Sequence, residues 1–447
     1  MKTIFLLAML SLPAHAAQTA HLALSDCQTS AMNLSPQIKS ALAEAAAARD
    51  AAENVKAALF PRVALEGALR YTGVIPQINL ATPAGTINKQ LGDNWNYSIG
   101  PSAYWTLFDN NGSRAAWESA RKTAAAKAED LENARRQVTL SARLAYFQVQ
   151  LALEQTYLLG DQLKLAISQH EDISLNARAG TKSRLDELMS NQEVLARRRE
   201  LLQARAELSG ALRELAAITG REDPFDPSLA LDARMNYAEY GGIEPPTALV
   251  SAEPAASLLS DMEKYSALMP DLESPSLHSL EMMAQSYRAA AESFRADKSP
   301  RVLLSARSSL DYPNGPSLYS YGQNTAGISV SLPLFENGRS DARSREQQNR
   351  AQSADERRQE LARGIRRDFF KAHDAFSALK LQQDINTEAV KEASEAAALT
   401  YSAYKAGRST WLEVQDANLR VLAAKSQSAN TDAQMLIQLA LMASAGR

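Results

Sequence analysis

The chain has 447 residues, a length that fits about two to four domains. Its 48 Lys and Arg residues against 51 Asp and Glu residues give a net charge of −3, so the overall charge does not indicate nucleic-acid binding. A single cysteine, Cys27, excludes an intramolecular disulfide and any multi-cysteine metal site. None of the 17 prolines falls within residues 102–223 or 334–447. Because proline costs ~3 kcal/mol inside a helix, these two windows predict very long helices.

Residues 1–16 are predicted to form an export signal peptide. Lys2 supplies a positive charge, residues 4–12 are apolar, and Ala14-His15-Ala16 is a small-x-small cleavage site. Cys27 lies well past that site and follows Asp26, so we interpret it as an unmodified helix residue rather than a lipid anchor. After residue 16 the sequence has no run of ~18 apolar residues, so no transmembrane helix is predicted.

The rest of the chain is predicted to contain two copies of one unit, residues 17–221 and 274–447. Three motifs recur in the same order: Pro-Arg-Val (61–63 and 300–302), Leu-Phe-Asp/Glu-Asn (107–110 and 334–337), and Ala-Gly with a following Leu-Asp/Glu (179–186 and 406–413). The first copy has the longer loop, between residues 72 and 94. A proline-rich linker, residues 222–273, joins the copies and is predicted to be largely irregular with at most short helices.

Each copy is predicted to contain two strands, about 62–72 and 95–107 in the first and about 301–312 and 324–334 in the second. Apolar and polar side chains alternate along all of them, which is typical of a strand with one apolar face. Strands of ~9–11 residues span a bilayer when tilted, so this face is predicted to meet lipid. An ordinary half-buried soluble sheet is the alternative. The predicted lipid-facing residues are Val63, Leu65, Leu69, Tyr71, Trp95, Tyr97, Ile99, Trp105, Val302, Leu304, Leu310, Ile328, Val330 and Leu332.

Four strands are too few for a membrane sheet, because an open sheet exposes unpaired backbone groups to lipid. The smallest membrane barrels have ~8 strands. If the strands lie in the membrane, several chains must share one barrel, with eight strands from a dimer or twelve from a trimer.

Helices are predicted over about 36–59, 113–178 and 184–218, and again over about 275–297, 339–405 and 411–444. Heptad spacing along the second of these helices predicts a coiled-coil seam. The seam residues are Leu140, Leu144, Phe147, Leu151, Leu158 and Leu165.

These motifs, present twice and in the same order, resemble those of the TolC-type outer membrane efflux protein family. The resemblance covers essentially the whole chain after the signal peptide. It implies a mainly α fold with a small β part, and a homotrimer with a 12-stranded outer membrane β-barrel continued by a periplasmic α-helical barrel. It also implies a passive exit duct for a tripartite efflux or type I secretion system. The implied partners are a periplasmic adaptor protein, an inner-membrane pump of the RND or ABC type, and outer membrane lipid. The linker would belong to the equatorial region.

The resemblance also assigns residues. The two turns at the periplasmic tip, where the adaptor would dock, are Gly180-Thr181-Lys182 and Gly407-Arg408-Ser409. The channel constriction would be formed by Asp186, Glu413 and Asp416. A carboxylate repeated three times around an axis attracts cations and repels anions. The helix dipole alone also favours acidic side chains in the first turn of a helix, without any channel role. The family's arginine falls on Ser409 rather than Arg408, so the resemblance does not assign Arg408 a latch salt bridge.

Other chemistry is not indicated. The five histidines are scattered, and no nucleophile elbow, P-loop or dinucleotide fingerprint occurs. We therefore expect no enzyme, no cofactor and no metal site. Trp411, beside the second turn, either packs there or contacts a partner. The alternative functions are a periplasmic coiled-coil adaptor or a structural scaffold, neither of which needs two copies with lipid-facing hairpins.

Overall fold

The computed structural model describes residues 18–83, 85–221, 226–240 and 243–447. The predicted signal peptide, residues 1–16, lies outside them. The chain divides into two compact units. Unit 1 comprises residues 18–40, Glu132–Ser274 and Ala362–Arg447, and unit 2 comprises Ala41–Leu131 and Pro275–Leu361.

The described chain is mainly helical with a smaller β part, which confirms the predicted fold class. The strands are β1 (Gln18–Leu22), β2 (Arg62–Tyr71), β3 (Gln77–Thr82), β4 (Gly85–Gln90), β5 (Trp95–Phe108), β6 (Leu231–Asp232), β7 (Ala248–Ala252), β8 (Arg301–Tyr312) and β9 (Tyr321–Ser331). The helices are α1 (Leu24–Leu34), α2 (Pro36–Ala57), α3 (Gly112–Arg178), α4 (Arg184–Thr219), α5 (Ala255–Met262), α6 (Pro275–Ala296), α7 (Arg339–Lys405) and α8 (Trp411–Ala445).

The same order of one helix, two main strands and two long helices occurs twice. The first helices, α2 and α6, each have 22 residues, and the long helices α3 and α7 each have 67. Every bound of these elements lies within about three residues of the predicted one. The length of α3 and α7 follows from their sequences, since neither contains the proline that would remove a backbone donor and clash with the preceding turn.

The buried line along α3 differs from the predicted leucine seam. Leu140, Leu144 and Leu151 are only half-buried, and Leu165 is exposed. The residues that are fully buried at heptad spacing are Val138, Ala142, Ala145, Val149, Ala152 and Thr156. Phe147 and Leu158 of the predicted seam are buried, and Leu140 and Leu144 pack against the core, so the seam was right in part. It missed the line of smaller residues, because it followed only the largest apolar side chains.

Unit 1 contains a small parallel sheet in the order β1-β7-β6. The short helix α5 in the linker fits the prediction, but the linker also supplies strands β6 and β7, which the prediction did not include. Tyr146 of α3 is fully buried and holds the sheet in place. Its hydroxyl donates to the Leu22 carbonyl and accepts from the Glu253 N–H, each at 2.9 Å. Cys27 lies in α1 as expected, and burial raises the pKa of its thiol to about 11.

Unit 2 contains an antiparallel sheet in the order β2-β5-β8-β9. Two details differ from prediction. The long loop of the first copy holds a separate hairpin, β3-β4. The last strand ends at Ser331 rather than residue 334, because Pro333 cannot donate to the ladder. Leu332, predicted to be a strand residue, therefore lies just outside β9.

Candidate functional site

Two glycine turns end the long helices α3 and α7 in the same way. Gly180 and Gly407 adopt φ angles of +76° and +73°, a left-handed conformation that glycine adopts at little cost. The N–H of the residue after each glycine donates to the carbonyl five residues earlier in the helix. Thr181 donates to the Asn176 carbonyl and Arg408 donates to the Ala403 carbonyl, each at 2.9 Å. Both turns are therefore Schellman motifs, which stop the helix and reverse the chain.

The helices that leave the turns are capped by side chains. Ser183 accepts a hydrogen bond from the Asp186 N–H at 3.0 Å at the start of α4. Thr410 and Glu413 form a reciprocal capping box at the start of α8. The Glu413 carboxylate accepts from the Ser409 hydroxyl and from the Thr410 N–H, the latter at 2.8 Å. These hydrogen bonds hold the pKa of Glu413 below its usual value.

A buried aromatic cluster joins the two turns. Trp411 is 2% exposed, and its ring lies 5.6 Å from that of Tyr404, which is also buried. Ile173 of α3 and Val414 of α8 complete the cluster. Trp411 therefore packs inside the chain, which favours the first of its two predicted roles. Elements from both copies contribute to this cluster, so it fixes one turn against the other.

Polar contacts cross between the same two turns in both directions. Lys182 of the first turn donates to the Tyr404 carbonyl at 2.9 Å, and its Nζ lies 3.7 Å from the centre of the Tyr404 ring. Lys405 of α7 pairs with Asp172 of α3 at 3.0 Å. The Tyr401 hydroxyl donates to the same carboxylate at 3.0 Å. The contacts to Lys405 and Tyr401 lower the pKa of Asp172.

The predicted constriction residues do not all lie together. Glu413 and Asp416 line one groove between α7 and α8, with Arg408 and Arg420. Asp416 is exposed and pairs with Arg420 at 2.8 Å. Asp186 instead lies beside Tyr404, whose hydroxyl reaches its carboxylate at 3.4 Å. Burial and Asp186 together raise the pKa of Tyr404 to about 12.

The sequence analysis missed Asp172, Tyr401, Tyr404 and Lys405. A signal for some of them was present in the difference between the copies. At an offset of 227 residues, Tyr401 and Tyr404 match Ser174 and Ala177 of the first copy, and Trp411 matches Arg184. The aromatic side chains of the cluster therefore come from the second copy alone, and this difference between the copies was the signal.

The sheet of unit 2 has one continuous apolar face. The strand register aligns Leu69 with Tyr97 and Tyr97 with Tyr312, and it aligns Leu304 with both Trp105 and Ile328. Two aromatic contacts lie at one end of this face, Tyr71 against Trp95 and Tyr97 stacked on Tyr312, both with ring centres 5.1 Å apart. The predicted residues that are exposed are Val63, Leu65, Leu69, Tyr71, Trp95, Tyr97, Ile99, Trp105, Leu310, Ile328, Val330 and Leu332, while Val302 and Leu304 are half-buried.

The opposite face of this sheet is polar. Ser98 donates to the Asp311 carboxylate at 2.5 Å and receives a hydrogen bond from the Arg307 guanidinium at 2.8 Å. Tyr104 reaches Glu66 at 3.3 Å. The sheet therefore has one exposed apolar face and one hydrogen-bonded polar face.

The described residues hold neither a membrane-spanning helix nor a metal-binding cluster. No helix there is both long and apolar enough to cross a membrane. No group of three or more His, Cys, Asp or Glu side chains there is arranged to hold a metal ion.

Replacing Thr410 with alanine is expected to loosen the first turn of α8. The variant loses the hydroxyl that accepts the Glu413 N–H, and loss of such a cap costs about 1 kcal/mol. Amide hydrogen exchange, followed by mass spectrometry, should then rise about fivefold in the peptide around residues 410–416. Thr387→Ala is the control, because the Thr387 hydroxyl only donates to a carbonyl within α7. Equal exchange in both variants would mean that the cap does not hold the turn.

Comparison with known proteins finds one matching family and several solved structures with a similar fold. The sequence matches the family model for outer membrane efflux proteins over residues 29–221 and 271–447, more than four fifths of the chain. The fold is similar to that of VceC from Vibrio cholerae, with a TM-score of 0.74 and 18% identity over 95% of this chain and 96% of that chain. It is also similar to the open state of the Neisseria gonorrhoeae MtrE channel, with a TM-score of 0.72 and 18% identity over 94% and 88%. The OprN channel gives a TM-score of 0.73 and 18% identity over 94% and 89%. No curated protein sequence matches the chain.

Proposed function

This chain belongs to the outer membrane efflux protein family, and from that premise we propose that it is the outer membrane exit duct of a tripartite efflux or type I secretion system. The observation that carries the proposal is the family match in both halves of the chain, together with the exposed apolar face across the four strands of the unit 2 sheet. Such a duct is passive, so the inner-membrane pump supplies the energy. The role requires no catalysis. An adaptor or scaffold role is not favoured.

The open edges of the sheet support a form in which several copies close one barrel, and the trimer is the form that the family resemblance implies. Within the described residues, β2 and β9 each pair on one side only, so the sheet has two open edges. Open edges are unfavourable in lipid, because each unpaired backbone group there costs several kcal/mol. Closure with two further copies would give a 12-stranded barrel without edges.

The long helices also expose apolar residues suited to contact between copies. The exposed ones on α3, α4, α7 and α8 include Leu175, Leu185, Leu195, Leu202, Leu381, Ile385, Leu399 and Leu412. Exposed leucines along several helices are typical of surfaces that another chain covers.

The turns are proposed to meet the periplasmic adaptor. Gly180-Thr181-Lys182 and Gly407-Arg408-Ser409 are held as one rigid surface by the aromatic cluster and by the Lys182 and Lys405 contacts. We further propose that Asp416 carries the constriction. Asp186 lies apart from that groove, beside Tyr404, and its part in the constriction is the lesser one. Glu413 contributes mainly as a helix cap, since its carboxylate is committed to the capping box.

Membrane fractionation tests the proposed function. We expect the protein in the outer membrane fraction, extracted by detergent as trimers. Release from membranes by carbonate would overturn the proposal and would favour a peripheral adaptor or scaffold.

Single-channel recording tests the constriction. Asp416→Ala removes one exposed carboxylate per chain and leaves Arg420 unpaired. We expect higher conductance in a planar bilayer and a preference for cations over anions that falls at least about twofold. Glu388→Ala is the control, because Glu388 is an exposed residue of α7 that does not line the groove. Unchanged conductance and selectivity in Asp416→Ala would show that the constriction lies elsewhere.

A further inference from the structure

A small cavity of mixed charge lies at the end of the unit 2 sheet where the strands meet the helices. Its volume is about 280 Å³. The connection from α6 to β8 lines the cavity, and so does the connection from β9 to α7. Its charged lining residues are Asp109, Asp297, Arg301, Glu336, Arg339 and Arg343.

Half of these charges are already satisfied within the chain. The Asp109 carboxylate caps α3 by accepting from the Ser113 N–H at 2.7 Å. Asp297 pairs with Arg301 at 3.5 Å. Both carboxylates therefore have a structural partner.

The remaining charges are two cations and one anion. Arg339 and Arg343 form no ion pair within the part of the chain that the structure describes, although Arg343 lies over the Phe294 ring. One carboxylate oxygen of Glu336 is buried and has no hydrogen-bond partner among the described residues. A buried carboxylate oxygen without a donor is costly, so a donor from outside the chain would stabilise it.

Apolar side chains beside the cavity are unusually exposed. Leu334 is 90% exposed and Phe335 is 88% exposed, and they directly precede Glu336. Phe60, between α2 and β2, and Phe108, the last residue of β5, are also exposed in the first copy. Aromatic residues beside charged ones are typical of the boundary between lipid chains and headgroups.

We propose that this cavity binds the headgroup of a phosphoethanolamine phospholipid. Arg339 and Arg343 would hold the phosphate, because guanidinium groups match phosphate oxygens with paired N–H donors. The lipid ammonium would donate to the free Glu336 oxygen. Leu334 and Phe335 would contact the acyl chains. The proposal rests on the membrane location given under the proposed function.

The charge pattern distinguishes this lipid from others. A phosphocholine headgroup carries a cation without N–H donors, so it leaves the Glu336 oxygen unpaired. A phosphoglycerol headgroup offers neutral hydroxyls there and no ammonium. The phosphate contact is common to all three, and the Glu336 contact sets the preference.

Native mass spectrometry of the detergent-extracted full-length protein tests this. Phosphatidylethanolamine, phosphatidylcholine and phosphatidylglycerol are supplied in equal amounts, and the bound lipids are counted. We expect about three- to tenfold more bound phosphatidylethanolamine than phosphatidylcholine. Glu336→Gln should reduce that ratio to about one, while Arg339→Gln should reduce the binding of all three lipids.

Two variants on the same helix serve as controls. Glu356→Gln and Arg345→Gln change exposed residues of α7 that do not line the cavity, so both should bind lipid as the unmodified protein does. Equal binding of all three lipids by the unmodified protein would overturn the proposal, as would a preference for phosphatidylglycerol. A ratio unchanged in Glu336→Gln would overturn it too. Fractionation of the same variants distinguishes failure of the lipid proposal from failure of the proposed function. If the protein is still in the outer membrane but shows no lipid preference, only the lipid proposal is overturned.

Discussion

Replacing Leu65 with arginine is expected to abolish assembly in the outer membrane. Leu65 lies near the middle of β2 on the apolar face and is 74% exposed. An arginine facing lipid near the bilayer midplane costs about 2–4 kcal/mol in an outer membrane protein. In a trimer this cost arises three times. The amount of detergent-extracted trimer in the outer membrane fraction, measured on native gels, should fall to background.

Glu66→Arg is the matched control, one residue further along the same strand. Glu66 lies on the polar face, where among the described residues its carboxylate meets only the Tyr104 hydroxyl, at 3.3 Å. We expect normal amounts of trimer and a channel with weaker preference for cations. If both variants lost the trimer equally, the effect would come from strand disruption rather than from lipid. If Leu65→Arg assembled normally, the apolar face would not meet lipid.

Much of the fold could be predicted because single residues determine where elements begin and end. Absence of proline over more than 100 residues predicted α3 and α7, and the glycine turns predicted their ends. Strand bounds followed from alternation, except where Pro333 ends β9 early. The alternation did not reveal β3 and β4, since both strands are exposed along their whole length and therefore have no buried face to set a pattern.

Packing between segments far apart in the sequence was harder to predict. The parallel pairing of β1 with β7 joins residues about 230 positions apart, and no local pattern indicates it. In the same way, no local pattern indicates that Lys182, in the first turn, contacts Tyr404 near the end of α7. The sequence assigned Glu413 to a constriction through its family position. Its capping role depends on Thr410, and the Thr-x-x-Glu spacing was a usable signal for it.

Trp411→Ala is expected to release the two turns from each other. Trp411 is 2% exposed and contacts residues from both copies, so truncation leaves a cavity in the cluster. Truncating a buried tryptophan costs about 3–5 kcal/mol, more than any single polar contact between the turns provides. Hydrogen exchange in the peptides around residues 172–186 and 401–416 should rise by about two orders of magnitude, toward that of exposed helix ends.

The consequence for transport depends on what the cluster restrains. If the turns hold the periplasmic end closed, the alanine variant should also conduct more than the unmodified protein in a planar bilayer. Trp411→Phe is the matched control: it keeps an aromatic ring in the cluster and removes an indole N–H that has no partner among the described residues, so exchange and conductance should change little. Faster exchange with unchanged conductance in Trp411→Ala would place the narrowest point of the duct away from the turns. Unchanged exchange would mean that Lys182, Lys405 and Asp172 join the turns without the cluster.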